Sequence, residues 1–298
     1  MNIYILLSID HARWLMSRVS ILFLVSFISL LTPHTAKLAS AEISLTFGTY
    51  AADKPTVTVK KYRPFLRYLA AEMSKILGEP VTIRMKVAKE YETGIDHLAS
   101  GGVDFARFGP ASYIMVKERN PNVQIIAMES KNGGKRFNGI IAVHSESKIQ
   151  TLSQLRQHSF AFGDQLSTIG RYLAQSHLIA ARVTSKELSG YEYLGRHDRV
   201  GTAVGAGKFT AGALKESTFR KLVAAGVPIR SLFKFENVTK PWLSSSSMEM
   251  RVLQAMRQVM LIADDQEVLN HFAKDGFVEG TDADYNFVRE AIKQSRNF

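Results

Sequence analysis

The order of hydrophobic patterns along the chain predicts an α/β protein built as two units with a cleft between them. Three observations carry this. Strand-like and helix-like segments alternate from Ile43 onward, a second alternation begins at Gly139, and the stretches after the strand candidates are rich in glycine, hydroxyls and tyrosine.

Residues 43–50 alternate apolar and polar side chains and read as the first strand. Residues 55–77 are helical in their later part, where Phe65, Leu69, Met73, Ile76 and Leu77 recur at spacings of three and four; Gly78 supplies the stop. Residues 81–87 alternate again. A helix carrying Tyr91, Ile95 and Leu98 ends at Gly101 and Gly102. Residues 103–109 make a short strand, and Pro110 opens the next helix, where its missing N–H is harmless. Residues 123–128 form another strand.

The second unit starts with a strand at 139–143. Helices follow at 152–157, 168–181, 200–206 and 219–225, with strands at 159–163, 191–194, 209–214 and 229–235. Residues 248–262, 266–274 and 282–295 read as helices with no strand candidate among them, and are expected to pack on the first unit. The units are then 42–138 plus 243–298, and 139–242, joined near 137–144 and 231–243.

In such sheets ligands sit beyond the carboxyl ends of strands. The segments to inspect are Gly48-Thr49-Tyr50, Gly109 to Tyr113, Asp164 to Gly170 and Gly195 to Asp198. The third opens a helix with Ser167, Thr168, Ile169 and Gly170. A hydroxyl there caps an orphan N–H, and the remaining N–H groups with the helix dipole make an anion site. The same residues suit an ordinary capped helix, and Gly170 allows close approach of either a ligand or a neighbouring backbone.

Residues 1–41 read as a secretory leader. Arg13 and Arg18 precede the apolar run 21–31, which is short for a membrane span, and Ala39-Ser40-Ala41 supplies a small-x-small cleavage site, so the mature chain begins near Glu42. Met16 would start a leader of ordinary length; an uncleaved anchor is the alternative. The leader holds three of the 38 basic and one of the 27 acidic residues, so its loss lowers the formal charge from +11 to +9. That balance suits an anionic small ligand, a membrane surface or a merely solvated basic face; Lys and Arg are scattered, which argues against nucleic acid. The chain has no cysteine, which excludes a lipidated-cysteine anchor, a thiol nucleophile and a thiolate metal site.

A phosphate-ester hydrolase would need a nucleophile with a base or metal cluster. No H-x-x-x-H or carboxylate cluster stands at ligand spacing, and His197 and Asp198 are sequence neighbours whose side chains diverge. His197 equally suits a surface or capping role, and Tyr91 and Tyr113 suit half-buried packing.

Three segments in order carry a family resemblance: Val103-Asp-Phe-Ala-Arg-Phe-Gly-Pro-Ala-Ser-Tyr113, Ser167-Thr168-Ile169-Gly170, and His197-Asp198 followed by Val204-Gly-Ala-Gly-Lys-Phe-Thr-Ala-Gly-Ala213. With them nearly the whole mature chain resembles the substrate-binding proteins of phosphate, phosphite and phosphonate ABC importers. The resemblance implies a type II periplasmic-binding-protein fold, two α/β lobes closing about a hinge over an oxyanion. It implies that Ser167 and Thr168 donate hydroxyls, that Ile169 and Gly170 donate backbone N–H groups, that His197 adds a donor from the same lobe, and that Tyr91 and Tyr113 add donors from the other. The implied protein is a non-catalytic, cofactor-free, periplasmic monomer whose partners are a small phosphonate, phosphite or phosphate-type anion and an inner-membrane ABC permease. A sensory binding protein docking on a receptor kinase is the alternative. Ile169 stands where relatives carry a second serine, and Thr210 where they carry aspartate. The expectation is a pocket with fewer donors and an apolar wall, suited to a phosphonate with an organic substituent or to another anion.

Overall fold

Two sheets share the strands of a computed structural model that describes residues 42–50, 55–270 and 272–298. The leader at 1–41 and its cleavage site lie outside the described residues. Strands β1 (Ile43–Tyr50), β2 (Val81–Ala88), β3 (Phe105–Arg107), β4 (Gln124–Glu129), β10 (Pro241–Ser244) and β11 (Phe277–Val278) form a sheet in the order β11-β4-β10-β3-β1-β2. β5 (Arg136–His144), β6 (Ser159–Phe162), β7 (Gly190–Tyr193), β8 (Ala211–Lys215) and β9 (Ile229–Val238) form the other, in the order β7-β6-β8-β5-β9. In each the strands feeding helices run parallel: β1 with β2 and β3, and β6 with β7 and β8.

The connecting helices are α1 (Pro55–Leu77), α2 (Tyr91–Ala99), α3 (Pro110–Arg119), α4 (Ala174–Ala180), α5 (His197–Gly205) and α6 (Glu216–Ala224). A π turn, Thr168–Leu173, opens α4. α1 is helical from Pro55, a turn or more before its apolar pattern begins. Thr58 and Tyr62 continue the buried stripe of Phe65, Leu69 and Met73, so a polar residue at the start of that face hid it.

The last stretch departs from expectation twice. It contains strand β11, whose two residues pair with Glu129 and Met128; two residues are too few to show a period. α7 (Met250–Ile262) and α8 (Gln266–Leu269) pack on α1 as expected, but α9 (Asn286–Gln294) does not stay with the first unit. It lies against the π turn and α4 as well as α3. Val288 is buried with the first unit's residues and Ala291 with the second's. The chain end follows: Ser185 N–H donates to the Phe298 carbonyl at 3.0 Å, and the Phe298 ring meets Phe162 edge-on at 5.4 Å. Strand β10 was also unmarked in the sequence, because all four of its residues are buried and no alternation remains.

Trp242 on β10 is fully buried at the centre of the first core, stacked on Phe47 at 5.0 Å and edge-on to Phe65 at 5.4 Å. The chain crosses between the sheets twice side by side, β4 to β5 and β9 to β10. The crossings are tied by Thr239 N–H to the Lys135 carbonyl at 2.9 Å and Glu129 N–H to the Lys240 carbonyl at 3.0 Å.

Candidate functional site

The carboxyl ends of β1, β3 and β6 point at one cavity of about 60 Å³. From the first sheet's side it is lined by Thr49, Tyr50, Lys61, Tyr91 and Arg107, and from the second's by Ser167, Thr168, Ile169, His197 and Lys215. Asn237 and Lys240, on the crossing from β9 to β10, also line it. Room of that size holds on the order of four to six water molecules, which suits a tetrahedral anion and is far below the ~300 Å³ of an ordinary cofactor pocket.

The helix opening is built by local chemistry. Ser167 has extended backbone and its Oγ accepts the Gly170 N–H at 2.9 Å, a serine cap that leaves the hydroxyl proton free to donate elsewhere. The Ser167 carbonyl accepts from both Arg171 and Tyr172 N–H groups, at 3.0 and 3.2 Å, which widens the first turn into a π turn. Gly170 is glycine for the sake of a neighbouring backbone: a Cβ there would lie 2.8 Å from the Gly163 Cα, and Gly163 N–H donates to the Gly170 carbonyl at 2.8 Å. Gly170 does not line the cavity, and its N–H belongs to the cap. Gly170→Ala is therefore expected to lose about 1–3 kcal/mol, the range for overpacking against atoms that cannot yield. Urea denaturation reads this directly, and an unchanged midpoint would show that the β6 turn can retreat.

Thr168 reaches across: its Oγ1 accepts the Ala111 N–H from the first turn of α3 at 2.8 Å. Ala111 is one of the orphan donors at that helix start. Tyr50 serves the same turn, its hydroxyl accepting the Gly109 N–H at 2.7 Å with Ser112 Oγ 2.8 Å away. Tyr50 is sandwiched between Tyr91, with centroids 3.7 Å apart, and Phe108 at 5.1 Å. Burial pushes its phenol up to about 12, so it stays a neutral donor.

Of the residues expected at the site, Tyr91, Ser167, Thr168, Ile169 and His197 line the cavity. His197 is buried as the first residue of α5, and Asp198 turns away to a double contact with Arg196 at 3.0 and 2.9 Å. Tyr113 is elsewhere. Fully buried, it donates to Asp282 Oδ1 at 2.6 Å and packs on Tyr285, tying α3 to the segment that leads into α9.

The two departures from the family pattern fall in different places. The Ile169 side chain sits in the second core, its Cγ2 2.9 Å from where a Cβ on Gly139 would stand. This packing anchors the helix opening, while Ile169 also contributes to the cavity lining. Thr210 is outside the cavity, in a surface depression with Ser147 and His158; its N–H donates to Ser159 Oγ at 3.1 Å.

The charged lining was not foreseen. Arg107 and Glu129 form a nearly buried bidentate ion pair, Nε donating to Oε1 at 2.6 Å and a terminal nitrogen to Oε2 at 2.8 Å. Burial alone would raise the Glu129 carboxyl, but Arg107 beside it holds it below the usual carboxylate range. Lys240, half-buried with its Nζ 5.1 Å from the centre of the Phe137 ring, is pushed well below the ordinary lysine range. Burial is the largest cause, followed by Arg107 and Lys215, with Glu129 working the other way. The Asn237 Oδ1 is buried without a hydrogen-bond partner among the described residues. Arg107 carried a signal in the sequence, a lone charge between buried phenylalanines in a short strand; Lys215 and Lys240 carried none. Among the described residues no three His, Cys, Asp or Glu side chains gather as a metal site would require.

Comparison with known proteins identifies a family and several relatives. Residues 47–285 match the family described as "ABC transporter, phosphonate, periplasmic substrate-binding protein". A probable ABC transporter phosphite-binding protein of Prochlorococcus marinus, PhnD1, is 24% identical over 290 residues, covering 90% of this chain and 95% of the relative. The structure of PhnD1 from that organism in complex with methylphosphonate superposes with a TM-score of 0.74 at 22% identity, covering 86% of this chain and 99% of the other. A binding-protein component of a phosphonate ABC transporter from Pseudomonas aeruginosa, PA3383, gives 0.72 at 15% identity, with 86% and 87% covered.

Proposed function

The chain belongs to the periplasmic substrate-binding proteins of phosphonate ABC transporters, and from that premise we propose that its own ligand is a compact phosphorus oxyanion, phosphite or methylphosphonate, held between the two lobes. The fold is the type II periplasmic-binding fold. The family consists of transport receptors, not enzymes, which sets the hydrolase reading aside.

The observation that carries the ligand is the cavity itself: small, lined by the hydroxyls of Ser167 and Thr168, by His197 and by four cationic side chains. Ser167 and Thr168 donate to the anion while their oxygens accept from Gly170 and Ala111 N–H groups. The N–H groups at the start of the π turn add the favourable end of the helix dipole. The crossings at 129–136 and 238–241 act as the hinge, and lobe closure over the anion is the state offered to the permease. The protein acts as a monomer, exported and cleaved near Ala41.

The test is a thermal-shift screen of residues 42–298, refolded to remove bound ligand, with phosphite, methylphosphonate, phosphate and sulfate. A ligand at about a hundred times its dissociation constant adds roughly 2.7 kcal/mol. A shift with phosphite or methylphosphonate, lost in Ser167→Ala, is the expected result. No shift with either anion sinks the reading.

A further inference from the structure

Charge at the hinge end of the cavity points to a finer selectivity, which rests on the anion-receptor reading above. Glu129 is the acid beside Lys240, and both of its oxygens are engaged by Arg107. The groups whose charge Lys240 feels come from four elements: Lys61 on α1, Arg107 on β3, Glu129 on β4 and Lys215 at the end of β8. Three are cations and the single acid is already bridged. Lys240 lines the cavity, and its side chain, set over the Phe137 ring, makes no hydrogen bond or ion pair among the described residues.

We propose that Lys240 is the charge-selecting contact of this cavity: it takes the second negative charge of a compact dianion and turns away phosphonates whose substituent carries an ammonium group. The phosphonate group of either kind of ligand restores the Lys240 proton, so an ammonium on the substituent would then stand beside two cations, Lys240 and Arg107, in a partly desolvated site where like charges repel strongly. Asn237 Oδ1 offers it one neutral acceptor, too little to offset two cations. A dianion without an ammonium relieves the crowding of cations around Lys240 and restores its proton with no such repulsion. Binding therefore takes up a proton wherever the pH lies between the amine's values in the empty and filled cavity.

The test is titration calorimetry of residues 42–298 with methylphosphonate, propylphosphonate and 2-aminoethylphosphonate, in two buffers of different ionisation enthalpy. Propylphosphonate matches the amine in length, so the ratio between those two reads charge and not size. Wild type is expected to favour propylphosphonate at least about tenfold. K240M is expected to weaken methylphosphonate roughly ten- to a hundredfold, the worth of a hydrogen bond to a charged group. It also abolishes proton uptake and brings the propyl to aminoethyl ratio close to one; K240R keeps the preference. If K240M does not fold, K240Q serves in its place. A ratio unchanged within about twofold between wild type and the neutral variant overturns the proposal, as does equal binding of the two long phosphonates by wild type. Failure of every oxyanion to bind wild type would overturn the receptor reading itself.

Discussion

Arg107→Met is expected to remove about 3–5 kcal/mol of folding stability, because it leaves the buried Glu129 carboxylate without its guanidinium. The side chains of the pair are only 11% and 9% exposed, so solvent cannot take over. Chemical denaturation would report the loss as a lower midpoint at constant slope. Arg107→Met with Glu129→Met should recover most of it, since a buried pair replaced by apolar side chains is often neutral. The pH dependence should change sign. In wild type the folded Glu129 lies below its unfolded value, so its contribution is complete above the unfolded carboxylate range and is lost as pH falls through the folded value. In Arg107→Met burial outweighs the weaker pull of Lys240 and Lys61 and raises the carboxyl. Stability then falls as pH rises above the unfolded carboxylate value. A loss below about 1 kcal/mol would mean that Lys240 moves in to replace the guanidinium.

What the sequence disclosed and what it hid follow from how each feature is built. The helix opening was legible because Ser167, Thr168 and Gly170 act within one turn, and a cap is read from consecutive residues. The β-α alternation was legible for the same reason. β10 was not, since burial on both faces removes the period that marks a strand. Tyr113 and Tyr50 both end or follow strands and look alike in sequence. In α3 residues 110–114 are all buried, so no face is distinguished and the direction of Tyr113 cannot be inferred. The cationic lining comes from α1, β3, β8 and the hinge, a convergence that exists only after folding. Ile169 serves two surfaces at once, lining the cavity while its Cγ2 packs toward Gly139, and how one side chain is shared between them is fixed only by folding.

Thr168→Val is expected to weaken oxyanion binding about ten- to a hundredfold while leaving the melting temperature of the ligand-free protein nearly unchanged. Valine keeps the shape and removes the hydroxyl. The Ala111 N–H, buried at the start of α3, then loses its acceptor, a loss of about 1–3 kcal/mol. The two partners belong to different lobes, so that loss falls on the closed arrangement and not on either lobe alone. A receptor that closes less readily binds with an affinity reduced by the fraction of closed molecules. The missing donor to the anion adds to the same deficit. Thr168→Ser retains the oxygen and should bind within about threefold of wild type. Calorimetry and thermal melts on the three proteins separate the possibilities. Should Thr168→Val lower the ligand-free stability by the full amount, the contact belongs to a permanently joined interior and closure is not what it controls. If stability and affinity both hold, Ala111 finds another acceptor and the hydroxyl makes no net contribution to the bound state. The expected split, affinity lost and ligand-free stability kept, is the signature of a hydrogen bond made only when the lobes meet over the anion.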